Sequence, residues 1–400
     1  MSLKVESKYK IIEESLRKSK KIKVIFLLIN VDSWKLDSVY NAFKNNNRYE
    51  ATVVVCPFTS KGNAFLSVEM AKSKLFCKAK EYEYFVAYDE VTGNTIDAKQ
   101  ELEPDIVFFS NPNALTSSKL LFSNFSDILT CYVPYSFRID TLYQYSYDCK
   151  FVNSMWINFY ESPMHKQLAE QYAKNKGVNV VSYGFPFMDN YIENKHLKSV
   201  WISSDKKRII WAPHWTIKGG QDTGLDWACF LIYHEPILSL AKEFEADIEI
   251  AIKPHPFLME TLSKEELWGR DKTVAYFDKW ANMDNCHIVN GDYIDLFMSS
   301  DALIHDSGSF MTEYLALNKQ VAYTVNAKDI SKRFNEFGGK VLTGHQLIHS
   351  TQELRSFILN VINGDDPLSE RRKEIIDEEN LMTSRPISEN ILQHIDRILS

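Results

Sequence analysis

Short runs of almost uninterrupted apolar residues, spaced by helical stretches, constrain this chain more than any other feature. Ile22 to Asn30 (IKVIFLLIN) is apolar at nearly every position. That is the mark of a strand buried on both faces in a parallel sheet, not of one with a wet side. Tyr49 to Cys56, Tyr84 to Tyr88, Pro104 to Phe109, Leu129 to Pro134, Cys149 to Asn153 and Val178 to Tyr183 read as further strands. Leu36 to Phe43, Ser67 to Lys78 and Ser162 to Lys174 carry helical spacing. The alternation predicts one doubly wound α/β domain over residues 1–190. Asn190 to Lys207 is polar, with Lys195, Lys198, Lys206 and Lys207, and reads as a linker over 191–207. The pattern then restarts: strands at Arg208 to Trp211, Asp247 to Lys253 and Cys286 to Val289, a loop at Lys218 to Asp222, and helices at Trp227 to Phe244 and Leu262 to Trp280. A second domain is expected over 208–365, with a helical tail over 366–400. A length of 400 residues suits two such domains.

Within the second half, Tyr293 to Val325 reads as helix, strand, tight turn, helix, strand. The turn is His305-Asp306-Ser307-Gly308-Ser309. A strand feeding a Ser/Gly turn that opens a helix gathers free backbone N–H groups and the positive end of a helix dipole at one point, which suits phosphate. An ordinary helix cap built on Asp306, Ser307 or Ser309 would look the same in sequence. Histidine is what separates the readings. His214, His255 and His305 each sit in the turn after a predicted strand. In a parallel sheet the strands' carboxyl ends face one crevice, where ligands bind. Lys253 adds positive charge beside His255. Imidazolium groups and helix-terminal amides would neutralise a diphosphate and help a CMP- or UDP-type group depart. Glu313, one turn into the helix, could accept hydrogen bonds from ribose hydroxyls. The histidine spacing does not match a local zinc motif, so no metal is expected. The turn after Ile22 to Asn30 lacks a GxGxxG sequence, which argues against a dinucleotide site there.

The net charge of -7 argues against a nucleic-acid partner. The six cysteines form no CxxC pair, which fits neither a zinc ribbon nor a disulfide framework and suits a reducing cytoplasm. No apolar run approaches the ~18 residues of a membrane span. No signal peptide is expected, because the lysine-rich stretch Lys4 to Lys23 leads directly into a strand. Glu6 to Lys23 reads as a solvated helix face, with contact to a membrane surface as the alternative.

Three segments resemble one known family: Ala212-Pro213-His214-Trp215, Lys253-Pro254-His255-Pro256, and Asp301 to Lys319 (DALIHDSGSFMTEYLALNK). They look like the strand-APTW turn, strand-HP turn and SDxLITDYSS turn of the CDP-glycerol glycerophosphotransferases, the family of teichoic-acid primases and polymerases. Ser182 to Pro186, with Asp189, resembles that family's GxPRxD segment. The resemblance implies a GT-B-like α/β fold: two Rossmann-like doubly wound domains facing a central cleft, with C-terminal helices crossing back. It also implies a metal-independent, cofactor-free transferase of capsule or teichoic-like polymer synthesis. An acceptor hydroxyl would attack a nucleotide-activated donor, with a cytidine nucleotide favoured, and the acceptor would be a glycan or lipid-linked chain. The protein would then work in the cytoplasm, at the inner face of the membrane. His255, His214 and Asp306 would be catalytic. Lys253, Pro256, His305, Ser307, Gly308, Ser309 and Glu313 would bind the donor. The family's N-terminal WHGxPxK histidine has no counterpart in Cys131 to Phe137, and Phe187 stands where GxPR has arginine. Asp32, Tyr135 and Asp140 remain as acceptor-side candidates. A glycosyltransferase using CMP-Kdo or a UDP-sugar, and an inactive nucleotide-binding subunit of a synthase complex, are the alternative readings.

Overall fold

The computed structural model describes residues 3–192, 201–203, 205–217, 226–326 and 330–400. The expected loop Lys218 to Asp222 and most of the expected linker lie outside them. Contacts divide the chain into two compact units. The first comprises residues 1–138, 142–192 and 379–400, and the second residues 139–141 and 193–378.

In the first unit, β1 (Ile22–Leu28), β2 (Tyr49–Val55) and β3 (Tyr84–Val86) precede a two-stranded hairpin of β4 (Tyr88–Asp89) and β5 (Asn94–Thr95). Then come β6 (Ile106–Phe109), β7 (Leu129–Tyr132), β8 (Ile157–Tyr160) and β9 (Val180–Ser182). Apart from the hairpin they form one sheet of order β3-β2-β1-β6-β7-β8-β9, parallel throughout. Every residue of β6, β7 and β8 is buried, as strands covered by helices on both faces require. The segment Cys149 to Asn153, read from sequence as a strand, is instead part of the helix Lys150–Ser154. Because β7 and β8 are parallel, the chain must travel back between them. The short helices Tyr143–Tyr147 and Lys150–Ser154 make that return, with Phe151 edge-on to Phe109 and Tyr132.

The second unit carries β10 (Lys207–Ala212), β11 (Ile248–Ile252), β12 (Cys286–Ile288), β13 (Ala302–His305), β14 (Gln320–Thr324) and β15 (Gln346–Ile348). Their order is β12-β11-β10-β13-β14-β15, again all parallel. Trp211 stacks between Phe230 and Trp280 in the core on one face of this sheet. Residues 201–203 of the expected linker are pinned to the second unit. Glu249 accepts the backbone N–H of Ile202 (3.0 Å) and that of Ser203, and Trp201 donates to Ser299 Oγ (2.9 Å).

The expected C-terminal tail is shared between the units. Helix Ser369–Glu378 stays with the second, where Arg372 is buried and paired with Asp366. Helix Ile387–Leu399 packs on the first, against helix Asp37–Lys44. Asp189 fixes its start by accepting the backbone N–H groups of Ile387 (2.7 Å) and Ser388 (3.0 Å). No described helix is long and apolar enough to cross a membrane.

Candidate active site

The strand order of the second sheet reverses between β10 and β13. This switch point is where an open parallel sheet leaves a crevice beyond its carboxyl ends. His214 follows β10, His255 follows β11, and His305 with Asp306 ends β13. Asp306 ties the turns together. Its Oδ1 accepts the backbone N–H of His214 (2.6 Å) and its Oδ2 that of Cys229 (2.5 Å), just ahead of helix Phe230–Glu243. The carboxylate is 1% exposed, and burial pushes its pKa up to about 7 against those two N–H groups. Both oxygens are thereby engaged by backbone N–H groups.

His214 and His255 lie side by side, with ring centroids 5.0 Å apart. Hydrogen bonds set the tautomer of each. Trp227 N–H donates to Thr216 Oγ1 (3.3 Å), that hydroxyl lies 2.8 Å from His214 Nδ1, and Thr216 N–H also donates to Nδ1 (3.3 Å). Phe257 N–H donates to His255 Nδ1 (3.2 Å). In both rings Nδ1 is the acceptor, so the proton resides on Nε2. Burial lowers His214 to about 3, helped by the neighbouring His255, and lowers His255 to about 4, helped by Lys253. The sequence suggested imidazolium groups. Burial disfavours the charged form of both rings, and each has an Nε2–H to donate.

The helix Gly308–Leu315 follows the Asp306 turn, with Ser307 in extended conformation at its cap and making no side-chain cap bond. Ser309 is exposed, while Ser307 and Gly308 before it are buried. Gly308 is required by packing. A Cβ there would lie 2.6 Å from the Trp227 ring and 3.0 Å from Ile139. His305 does not join this surface. It is fully buried, its Nδ1 accepts Ser307 N–H (3.2 Å), and its ring meets His345 and Tyr323. The expected donor contact thus lies beneath the turn, bracing it from the core. Lys253 is nearly buried and donates to Gly291 O (2.7 Å), with its ammonium 5.6 Å from the centre of the Tyr293 ring. Tyr293 donates to Glu313 Oε2 (2.6 Å), so the two charged groups expected at the donor share one aromatic neighbour. Pro256 is exposed beside His255.

The acceptor-side candidates are scattered. Asp32, with a side chain 63% exposed, is ion-paired to Lys72 (2.7 Å) in the first unit. Tyr135 is half-buried in that same unit. Asp140 belongs to the second unit, where it bridges Phe334 while Asn335 N–H donates to Ile139 O (2.8 Å). Sequence reading missed Thr216, Trp227, Cys229 and Tyr293. None carries a motif, and each matters through a contact that only the folded chain creates. Among the described residues, no group of three or more His, Cys, Asp or Glu is placed to hold a metal ion.

A family model for CDP-glycerol:poly(glycerophosphate) glycerophosphotransferases matches residues 151–378, which include all three strand-end turns. No curated protein matches the sequence. Among solved structures, UDP-GlcNAc 2-epimerase from Neisseria meningitidis bound to UDP-GlcNAc is similar over 94% of this chain and 100% of its own, at 14% identity and a TM-score of 0.62. MnaA of S. aureus in complex with UDP covers 94% of this chain and 97% of its own, at 17% identity and a TM-score of 0.60. A variant of the wall teichoic acid polymerase TagF with CDPG covers 100% of this chain and 98% of its own, at 12% identity and a TM-score of 0.56. At such identities the likeness is one of fold. The two parallel-sheet units make that fold GT-B-like.

Proposed function

Because the chain belongs to the CDP-glycerol:poly(glycerophosphate) glycerophosphotransferase family, we propose that it moves glycerol phosphate, or a related alditol phosphate, from a CDP-activated donor to an acceptor hydroxyl of a surface polymer. The observation that carries this reading is the pairing of His214 and His255 at the switch point of the second sheet, with the turn that opens helix Gly308–Leu315 tied to His214 through Asp306. Two Nε2–H donors and first-turn amides offer hydrogen bonds to a diphosphate with no metal in their coordination. As the bond to the nucleotide breaks, negative charge grows on the leaving phosphate and draws the imidazoles toward their charged form. Their hydrogen bonds therefore strengthen most in the transition state. Lys253 supplies the permanent positive charge, Ser307 and Ser309 cradle the phosphate, and Glu313 holds the ribose through its hydroxyls.

A thermal-shift panel of CDP-glycerol, CDP-ribitol, CMP, CDP, UDP and UDP-sugars, run on wild type and His255→Ala, tests this. A ligand at about 100 times its Kd stabilises by about 2.7 kcal/mol, a shift that is easily read. Stabilisation by cytidine nucleotides, weakened in the variant, is the expected result. A response to uridine nucleotides alone would overturn the donor assignment. Transfer by His255→Ala is expected to fall by about 100-fold, on the order of 3 kcal/mol.

A further inference from the structure

In the second sheet β14 lies beside β13, with His305 opposite Tyr323, so the residues that follow both strands share one end of it. Asn326 follows β14, and Arg333 returns to it from the short 3-10 turn Ser331–Arg333. Arg333 Nη2 donates to Asn326 Oδ1 (2.9 Å) and to Asp226 O (2.8 Å), and Asn326 Nδ2 donates to that same carbonyl (2.8 Å). Three groups thus close a ring that fixes the guanidinium. Both of its acceptors are neutral oxygens, and among the described residues no carboxylate forms an ion pair with it. Half-buried and so held, Arg333 keeps a full positive charge for an anion. That charge lies next to the Asp306 turn. Burial raises the pKa of the Cys229 thiol and of the Tyr323 phenol, and Arg333 pulls each of them down. These two residues hold Asp306: Cys229 N–H donates to its Oδ2, and Tyr323 O–H to its backbone O (3.2 Å). Asp226, which anchors Arg333, precedes Trp227, whose ring packs against Gly308 and lies 5.9 Å from the ring of His214. A diphosphate at this turn needs a permanent cation, because burial disfavours the charged forms of His214 and His255. Lys253 is held on Gly291 O.

We propose that Arg333 is a further binding residue of the donor site, its guanidinium hydrogen-bonding the diphosphate of the nucleotide donor, with Asn326 as the positioning residue that aims it. The proposal rests on the transferase reading above and deepens it. Nη2 stays on Asp226 and Asn326, and Nη1 donates to a phosphate oxygen. Such a bond, with both partners charged, is stronger than one between neutral groups. A guanidinium also stays protonated at every working pH, so its share of diphosphate binding does not vary with pH as that of an imidazole does.

The test compares wild type, Arg333→Met, Arg333→Lys and Asn326→Ala by calorimetric binding of cytidine, CDP and inorganic pyrophosphate, and by the Tm of the unliganded protein. Arg333→Met is expected to weaken CDP binding at least about tenfold and to leave cytidine binding unchanged, since a hydrogen bond to a charged group is lost only with the phosphates. Arg333→Lys should regain part of the CDP affinity, because it keeps the charge but not the planar fork. Asn326→Ala should weaken CDP by a smaller factor, again without touching cytidine, and it carries the comparison should Arg333→Met not fold. A merely structural Arg333 would weaken cytidine and CDP alike, together with a lower Tm, and that result would overturn the proposal. So would CDP binding as tight in Arg333→Met as in wild type. If wild type binds no cytidine nucleotide, the donor reading fails, and pyrophosphate alone then decides. Its binding lost in Arg333→Met would uphold the anion site, and equal binding in both, or none in wild type, would overturn it.

Discussion

Asp306 accepts backbone N–H groups from two separate segments, at His214 and Cys229, so the position of His214 depends on it. In Asp306→Asn the amide NH2 must face one of those N–H groups and leave it unpaired, which costs about 1–3 kcal/mol. Urea unfolding should show that loss, and CDP binding should weaken with it. The neighbouring imidazoles make stability depend on pH with a definite sign. His214 and His255 have folded pKa values of about 3 and about 4, below the ordinary 6.5. The unfolded chain therefore binds more protons, and stability is lost as pH falls from about 6.5 toward 4, by up to ~1.4 kcal/mol per pH unit for each residue. Asp306 has the opposite sign: its carboxyl is raised to about 7, so its contribution is complete below about 4 and fades as pH rises through 7. Unfolding of wild type and of a His214→Gln/His255→Gln variant from pH 7 to pH 5 measures the histidine part, and the variant's acid slope should be flatter. An equal slope in both would mean that these rings titrate normally.

At the level of the elements, the turn opening helix Gly308–Leu315 was legible because strand, polar turn and helix each carry their own local pattern. The reason for Gly308 was not. Trp227 and Ile139 fill the space of its Cβ, and both come from distant parts of the chain. Gly308→Ala should cost about 1–3 kcal/mol through overpacking and should blunt the CDP thermal shift, because Trp227 also neighbours His214. His305 and His255 look alike in sequence, each a histidine after an apolar run, yet one is sealed in the core and the other opens to the crevice. The motif marks the turn, and packing chooses which way the ring points. A further element-scale contact is Asp189, a side-chain cap nearly 200 positions before the helix it serves. Asp189→Ala should destabilise by about 1 kcal/mol and speed amide exchange at the start of helix Ile387–Leu399. Exchange there as slow as in wild type would remove the capping role.

For the molecule as a whole, the division between units does not follow chain order. Ile387, Ile391, Ile395 and Leu399 of the last helix are all fully buried, within the first unit. At ~1.5–3 kcal/mol for each buried side chain, these residues contribute on the order of 6–12 kcal/mol, comparable with the whole stability of a typical domain. Removing residues 379–400 should therefore abolish the calorimetric transition of the first unit while leaving a transition for the second that CDP still raises. Two intact transitions in the truncated chain would show that the helix is dispensable.

The sequence by itself determined the two parallel sheets and the three histidine-bearing turns of the second half. Apolar runs bounded by turn residues, and local strand-turn-helix patterns, are short-range properties that survive in one dimension. Only the tertiary structure decided that Cys149 to Asn153 returns as helix, that Asp140 joins the second unit and residues 379–400 the first, and that Arg333 meets Asp226. Each of these depends on which distant surface a segment buries against and on which polar group it finds there. No local periodicity encodes such pairings, because their free energy arises between residues that the chain brings together only when it folds.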